Sequence, residues 1–439
     1  MTGTDDDSTP TYSRRAVLAA GGTGLACGVA AGGLGGLLPS VGGAAARSCD
    51  PEPLSTSPSD WITPGQDTAN TGHAPARSGP DTLDRRWLVE TERREYASPL
   101  VVDGAVITPT VAGEGNDAHA ALAGYDLGSG DRRWRAGDPD SPQSPRSAVA
   151  AGGFVYEVNR TTPVARYVTT GEERWRLGDV TARHPPVVAD GLARVVERLE
   201  EDRATLHAVD ARTGERCRRR TYGFSVDGRP AVTDDALVYP GDGGFVAFDR
   251  ATDEVRWRQP FEDGFPSTPR VADGRVFASI FDGLLVALDE TSGEELWRVE
   301  SEHYVAGGTG DEGETYALPT FEFGAVTPNA VVVREEVYSD VSDRIRAYDP
   351  ETGDPLWDRE AAEETNYAFS PPAVAGQSVY TVEANWREDS FRLLELNLET
   401  GERLRDHQLD VEGFEVVVAD GTVVVVSRNA VSAFGTPSA

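Results

Sequence analysis

The chain has 439 residues, and 73 acidic side chains against 41 basic ones give a formal charge of −32. All of the basic residues are arginine, with no lysine anywhere. A chain so acidic along its whole length lacks the basic face that nucleic acid requires, which argues against that class of partner.

At the N-terminus, Ser13-Arg14-Arg15-Ala16-Val17-Leu18 resembles a twin-arginine export signal, and an uncharged run rich in Gly and Ala follows it to Ala46. The run is long enough to cross a bilayer, but its glycines and Pro39 make it a poor permanent helix. Ala44-Ala45-Ala46 offers a small-residue cleavage site, while Cys27 and Cys49 each raise a lipid anchor without the usual Leu three places earlier. We expect residues 1–48 to be a signal or anchor with its linker, 49–82 a lead-in, and 83–439 the folded body. Export across the cytoplasmic membrane is the expectation, to an extracellular location with a membrane tether available through the N-terminal segment.

From Trp87 onward a pattern A-x-D-x-x-T-G-E-x-x-W-R, or a worn version of it, recurs. Aligned on the Trp place, the copies fall at Trp87, Trp134, Trp175, Arg218, Trp257, Trp297, Trp357 and Arg405. Intervals of roughly 40 to 60 residues are those of propeller blades or solenoid turns. Between copies stand short apolar runs entering Asp-Gly, as in Val101-Val102-Asp103-Gly104 and Val271-Ala272-Asp273-Gly274. Asp-Gly suits a two-residue hairpin because both turn positions accept positive φ. A second hairpin breaks at Thr-Gly-Glu, so each unit reads as four antiparallel strands, and no helical period appears over a useful length.

Such sheets bury both faces only by packing against one another around an axis. A small Ala on strand three facing Trp on strand four lets the indole lie between blades. The docking residues are then Trp87, Trp134, Trp175, Trp257, Trp297 and Trp357 with Ala165, Ala247, Ala287, Ala347 and Ala433. Trp87 has no third strand before it and Ala433 no fourth after it, so one blade is shared between the termini. The expected fold is an all-β, eight-bladed propeller, closed by strands from both ends. In the last complete unit Glu395 and Arg405 replace Ala and Trp together, which suggests a cross-strand ion pair in place of the ring. Cys217 reads as a small buried thiol, and no disulfide is expected within the blades.

These repeats resemble the pyrroloquinoline-quinone (PQQ) repeat family of eight-bladed propellers. The lead-in Asp60-Trp61, Gln66-Asp67, Asn70-Thr71-Gly72 and Gly79-Pro80 is similar to an N-terminal segment common there. The resemblance covers calcium- and PQQ-dependent alcohol dehydrogenases and a non-catalytic outer-membrane assembly lipoprotein, and a shared fold does not choose between them. For the dehydrogenases it implies adjacent half-cystines, a Trp floor, and Asp, Glu and Asn around calcium. This sequence has no adjacent cysteines, and its repeat tryptophans are explained by packing, which leaves Trp386 as the unassigned ring of the blades.

No two histidines stand at metal-binding spacing, so no zinc site is expected. The acidic loops Glu114–Asp117 and Asp311–Glu314 match no calcium spacing and read as solvated. What remains is the mouth of the ring, where the connections between blades carry Tyr96, Tyr222, Phe224, Phe265, Tyr316, Tyr367, Phe369 and Phe414. Aromatics interspersed with Arg are what protein-binding patches enrich, and the longest connection, Val299 to Phe323, is the candidate binding loop. The favoured reading is a non-catalytic scaffold binding a protein or ligand at this rim, with no cofactor. The alternative is a PQQ- and calcium-dependent alcohol dehydrogenase-like oxidoreductase.

The composition resembles that of a protein from a salt-loving archaeon. In dilute buffer the charge repels itself, whereas in molar salt the Debye length falls to about 3 Å and the repulsion is screened. Dialysis to low salt is expected to abolish the β signal in circular dichroism; a spectrum unchanged there would contradict the halophilic reading.

Overall fold

This computed structural model describes residues 49–436 apart from 75–78, 92–97, 113–118, 138–146, 201–202, 227, 242, 262–265, 281–282, 302–319, 337–342, 362–366 and 428. Eight antiparallel sheets follow one another in chain order as blades one to eight, and no helix occurs among the described residues. Seven of the sheets have four strands. Blade seven has six, because Tyr367–Phe369 pairs with its second strand and His73–Ala74, from the lead-in, adds to its first. Blade eight joins Gly413–Ala419, Thr422–Ser427 and Ala430–Phe434 to Arg85–Glu90 from the other end of the chain. The expected shared blade closes the ring.

The turns form for the reasons the sequence suggests. Asp103-Gly104 and Asp273-Gly274 take positive φ at both positions (49° and 66°; 47° and 75°), which the inner hairpins require. At the second hairpin the repeat Asp folds its carboxylate back onto the turn: Asp289 Oδ1 accepts Thr291 N–H at 3.0 Å and Ser292 N–H at 2.7 Å. These bonds favour the charged carboxylate and hold its pKa below the usual range.

The small residue and the Trp stand directly opposite each other in every regular unit: Ala165 with Trp175, Ala247 with Trp257, Ala287 with Trp297, Ala347 with Trp357, and Ala433 with Trp87. In blade one Gly124 faces Trp134, and a Cβ there would meet the indole at 2.5 Å. Each ring reaches into the following blade. The Nε1–H of Trp87, Trp134, Trp175, Trp257, Trp297 and Trp357 donates to the carbonyls of Leu127, Val168, Ala211, Glu290, Pro350 and Leu398, at 2.6 to 3.1 Å. Above each ring lies the turn glycine of that next blade; at Gly293 (φ 76°) a Cβ would stand 2.5 Å from the Trp257 ring. The repeat is therefore one joint written in two halves, with the Trp on one blade and the Asp-Thr-Gly turn that receives it on the next.

Two joints lack the ring. Glu395 faces Arg405, as expected, and Arg405 Nε reaches Glu395 Oε2 at 2.5 Å, while its Nη2 donates to Pro80 O at 2.8 Å in blade eight's entry. Between blades three and four, Arg218 takes the Trp place and Asp253 takes the place of the turn glycine, at φ 55°. Arg218 Nε reaches Asp253 Oδ2 at 2.5 Å and Arg194 Nε reaches Oδ1 at 3.3 Å, with both Arg194 and Asp253 buried. Ring and glycine have been exchanged together for a buried ion cluster.

Candidate functional site

The lead-in does not run beside the propeller; it threads the ring. Trp61 N–H donates to Val101 O at 2.7 Å and Trp61 O accepts Val101 N–H at 3.0 Å in blade one, and Ile62 O accepts Ala150 N–H of blade two at 2.7 Å. Thr68, Ala69, Thr71 and Gly72 then offer carbonyls to Val232, Val271, Val326 and Val374, the inner strands of blades four, five, six and seven, at 2.7 to 3.2 Å. Inner strands have a free edge facing the axis, and a buried edge must be satisfied. The lead-in supplies those partners to one blade after another.

Its start is tied down covalently. Cys49 and Cys217 form a disulfide across a sequence separation of 168. This corrects the expectation of Cys217 as a lone buried thiol: residues 49–55 return over blades three and two, with Glu52 O against Gly191 and Ser55 O accepting Gly152 N–H at 3.2 Å, and so bring Cys49 to the outer strand of blade three. A sulfur so committed carries no lipid, so Cys49 is not the anchor. Cys27, with Arg14 and Arg15, lies outside the described residues.

The residues that hydrogen-bond the lead-in mark a common level in the channel. Counting back one to four residues from those bonded positions gives Arg270, then Ser98 and Arg229, then Glu322, and Glu415 on the inner strand of blade eight is tied to Ser98. Of the expected rim aromatics, Phe414 directly precedes Glu415 and Phe224 lies five residues before Arg229. Phe224 packs on Tyr222 with centroids 5.2 Å apart and has the Arg258 guanidinium 3.3 Å from its ring centre; Phe414 is half-buried. Phe369 does not line a surface: at 2% exposure it belongs to the core between blades six and seven, and Tyr222 is likewise buried. Tyr367 sits in the strand added to blade seven. Tyr96, Phe265 and Tyr316, both acidic loops and most of the Val299–Phe323 connection lie outside the described residues. Trp386 is exposed and gives its Nε1–H to Glu412 Oε1 at 2.5 Å.

The charged level beneath the rim was missed in the sequence, because each member stands alone on a different blade. Its signal was the offset: polar residues recurring just ahead of the apolar inner strands. Glu415 accepts Ser98 Oγ–H at 2.7 Å, and burial pushes its carboxyl up to about 7. Glu322 is paired with Arg334 at 2.8 Å, and Asp67 takes Thr71 N–H at 2.9 Å and Thr71 Oγ–H at 2.7 Å. Among the described residues no three His, Cys, Asp or Glu side chains are grouped to hold a metal ion, and no helix is long and apolar enough to cross a membrane.

Comparison with known proteins agrees with this architecture. BamB from Moraxella catarrhalis superposes with a TM-score of 0.54 at 16% identity, covering 80% of this chain and 97% of that one. Quinohemoprotein alcohol dehydrogenase ADHIIG from Pseudomonas putida HK5 gives 0.58 at 15% identity, covering 86% and 80%. At such identities the likeness is one of fold. In sequence, 157 residues are 32% identical to the serine/threonine-protein kinase AfsK of Streptomyces griseus, 30% of this chain but only 18% of the length of that protein. A family model described as outer membrane protein assembly factor BamB matches residues 118–217 and 202–436. With the greater part of the chain inside those two matches, and a ring of eight blades joined as described, the chain belongs to this BamB-type PQQ-repeat family.

Proposed function

We propose that the chain is an exported, non-catalytic scaffold that binds a protein or small ligand at the aromatic-rimmed mouth of its channel. One observation carries the reading: the side chains a quinone site would need are committed elsewhere. The six repeat tryptophans donate across blade joints, the amide of Asn70 bridges two backbone carbonyls, and the two described cysteines are bonded to each other at the outer strand of blade three. These residues do not fit PQQ with calcium, and we derive no step through that pair.

Export is supported by the disulfide, since such bonds form and persist in oxidising compartments, and by the Arg14-Arg15 motif. A tether through the N-terminal segment and a high-salt habitat belong to the same reading.

The test is direct. The purified protein is loaded with PQQ and calcium in molar salt, and dye reduction is followed with simple alcohols; no turnover above the dye-only rate is expected. Turnover would replace the scaffold by the oxidoreductase. A pull-down from high-salt membrane extracts, compared between the intact chain and a Phe224→Ala variant, then asks whether a partner depends on the rim.

A further inference from the structure

The amide of Asn70 builds more than a floor. Its Nδ2 donates to Pro230 O at 2.9 Å and to Pro269 O at 3.1 Å, so one side chain of the lead-in pins the starts of two neighbouring inner strands. The residues joined to those prolines are Arg229 and Arg270. Two guanidinium-bearing positions from adjacent blades are thereby fixed at one place on the channel wall.

Their surroundings differ. Arg270 is anchored: Nη1 donates to Asn70 O, Nη2 donates to Phe323 O at 2.9 Å, and its guanidinium stands 5.3 Å from the Phe323 ring centre. Arg229 is not anchored in this way, and its Nη1 is buried with no hydrogen-bond partner among the described residues. A buried charged donor left without an acceptor is destabilising, so its retention needs a reason. Burial pulls both groups down, Arg229 to about 10 and Arg270 to about 9, the latter also by repulsion from Arg229. Both remain charged near neutral pH. Glu415 lies near both guanidiniums and Asp67 near Arg270, yet Glu415 accepts from Ser98, Asp67 accepts from Thr71 and Glu322 is paired with Arg334, so none of the three takes an Arg229 N–H. In a chain of charge −32 the channel thus encloses a patch with cationic donors to spare.

We infer that Arg229 and Arg270, seated on Asn70, bind a carboxylate of a ligand that enters through the aromatic rim. The chemistry favours a planar anion: guanidinium N–H pairs match the two oxygens of a carboxylate. A carboxylate of this kind comes either from a small free acid or from the C-terminus of a peptide. The inference rests on the rim-binding reading of the preceding section and specifies the chemistry of what is bound.

The probes are succinate, an acetylated Gly-Gly-Phe tripeptide with a free C-terminus, and the amide of that tripeptide. Each is titrated calorimetrically into the full chain in molar potassium chloride at constant chloride. The expected result is binding of at least one free acid, with the amidated peptide weaker by roughly tenfold or more, the loss of one charge-assisted contact. Arg229→Gln should weaken the free acid similarly without lowering the melting temperature, because Nη1 holds nothing in the fold. Succinate alone binding assigns the site to a small acid, and peptide alone assigns it to a chain terminus. Equal binding of acid and amide, equal binding by Arg229→Gln, or no binding of either acid overturns the inference. Failure of the scaffold reading is separate: it shows as turnover with PQQ, whatever these titrations give.

Discussion

Asp253→Ala is expected to destabilise the protein by about 3 to 5 kcal/mol, the usual cost of removing one partner from a buried ion cluster. The carboxylate serves two guanidiniums, and Arg194 is buried so deeply that it has no recourse to water when Asp253 is gone. Urea unfolding in molar potassium chloride measures the loss. The joint's logic adds a sharper outcome. In blades two and five the place of Arg194 is held by Tyr156 and Phe277, each 5.9 Å from its blade's tryptophan. The triple variant Arg194→Phe, Arg218→Trp, Asp253→Gly should therefore rebuild a regular joint and recover most of the stability that Asp253→Ala loses. A triple variant no more stable than Asp253→Ala would show that these three positions are not a coupled exchange.

Cys217→Ser should cost up to about 5 kcal/mol, the chain-entropy value for closing a loop of this length. The disulfide joins positions with a separation of 168 and fixes the origin of a segment that bonds to six of the blades' inner strands by backbone hydrogen bonds. The measurement is the urea midpoint of the wild type with and without reductant, beside the variant in both conditions. Reductant should lower the wild type to the variant's level and leave the variant unmoved. Equal midpoints throughout would mean that the lead-in's backbone bonds hold it without the covalent tie.

The repeat made the propeller legible because its parts are local: an Asp two residues before a turn, a Gly within it and a Trp on the returning strand all report on neighbours in sequence. Even the ion pair of Glu395 and Arg405 could be foreseen, since the two face each other across one hairpin. The exchange at Arg218 could not, because its other members, Asp253 and Arg194, lie on the next blade and on a different strand of its own. The channel was hidden for the same reason. Asn70, Arg229, Arg270 and Glu415 belong to four separate stretches of chain and meet only when the ring closes. The rim reading suffered from the opposite defect: an aromatic ahead of an inner strand signals burial as readily as exposure, and Phe369 proves to be core.

The two ends of the chain meet twice, once where Trp87 lies opposite Ala433 and once where Asp84 O accepts Gly435 N–H at 2.9 Å. The lead-in, although made first, finds its inner-strand partners only as the blades that carry them appear. During synthesis the lead-in and Trp87 must therefore wait, unpaired, for blade eight, and contacts of such long sequence separation form slowly. A protein assembled in that order has every blade's fate tied to its final strand, so loss of a few residues after Ala430 should leave not a seven-bladed molecule but an open one, with its inner edges exposed and its N-terminal thread without a complete axis to follow.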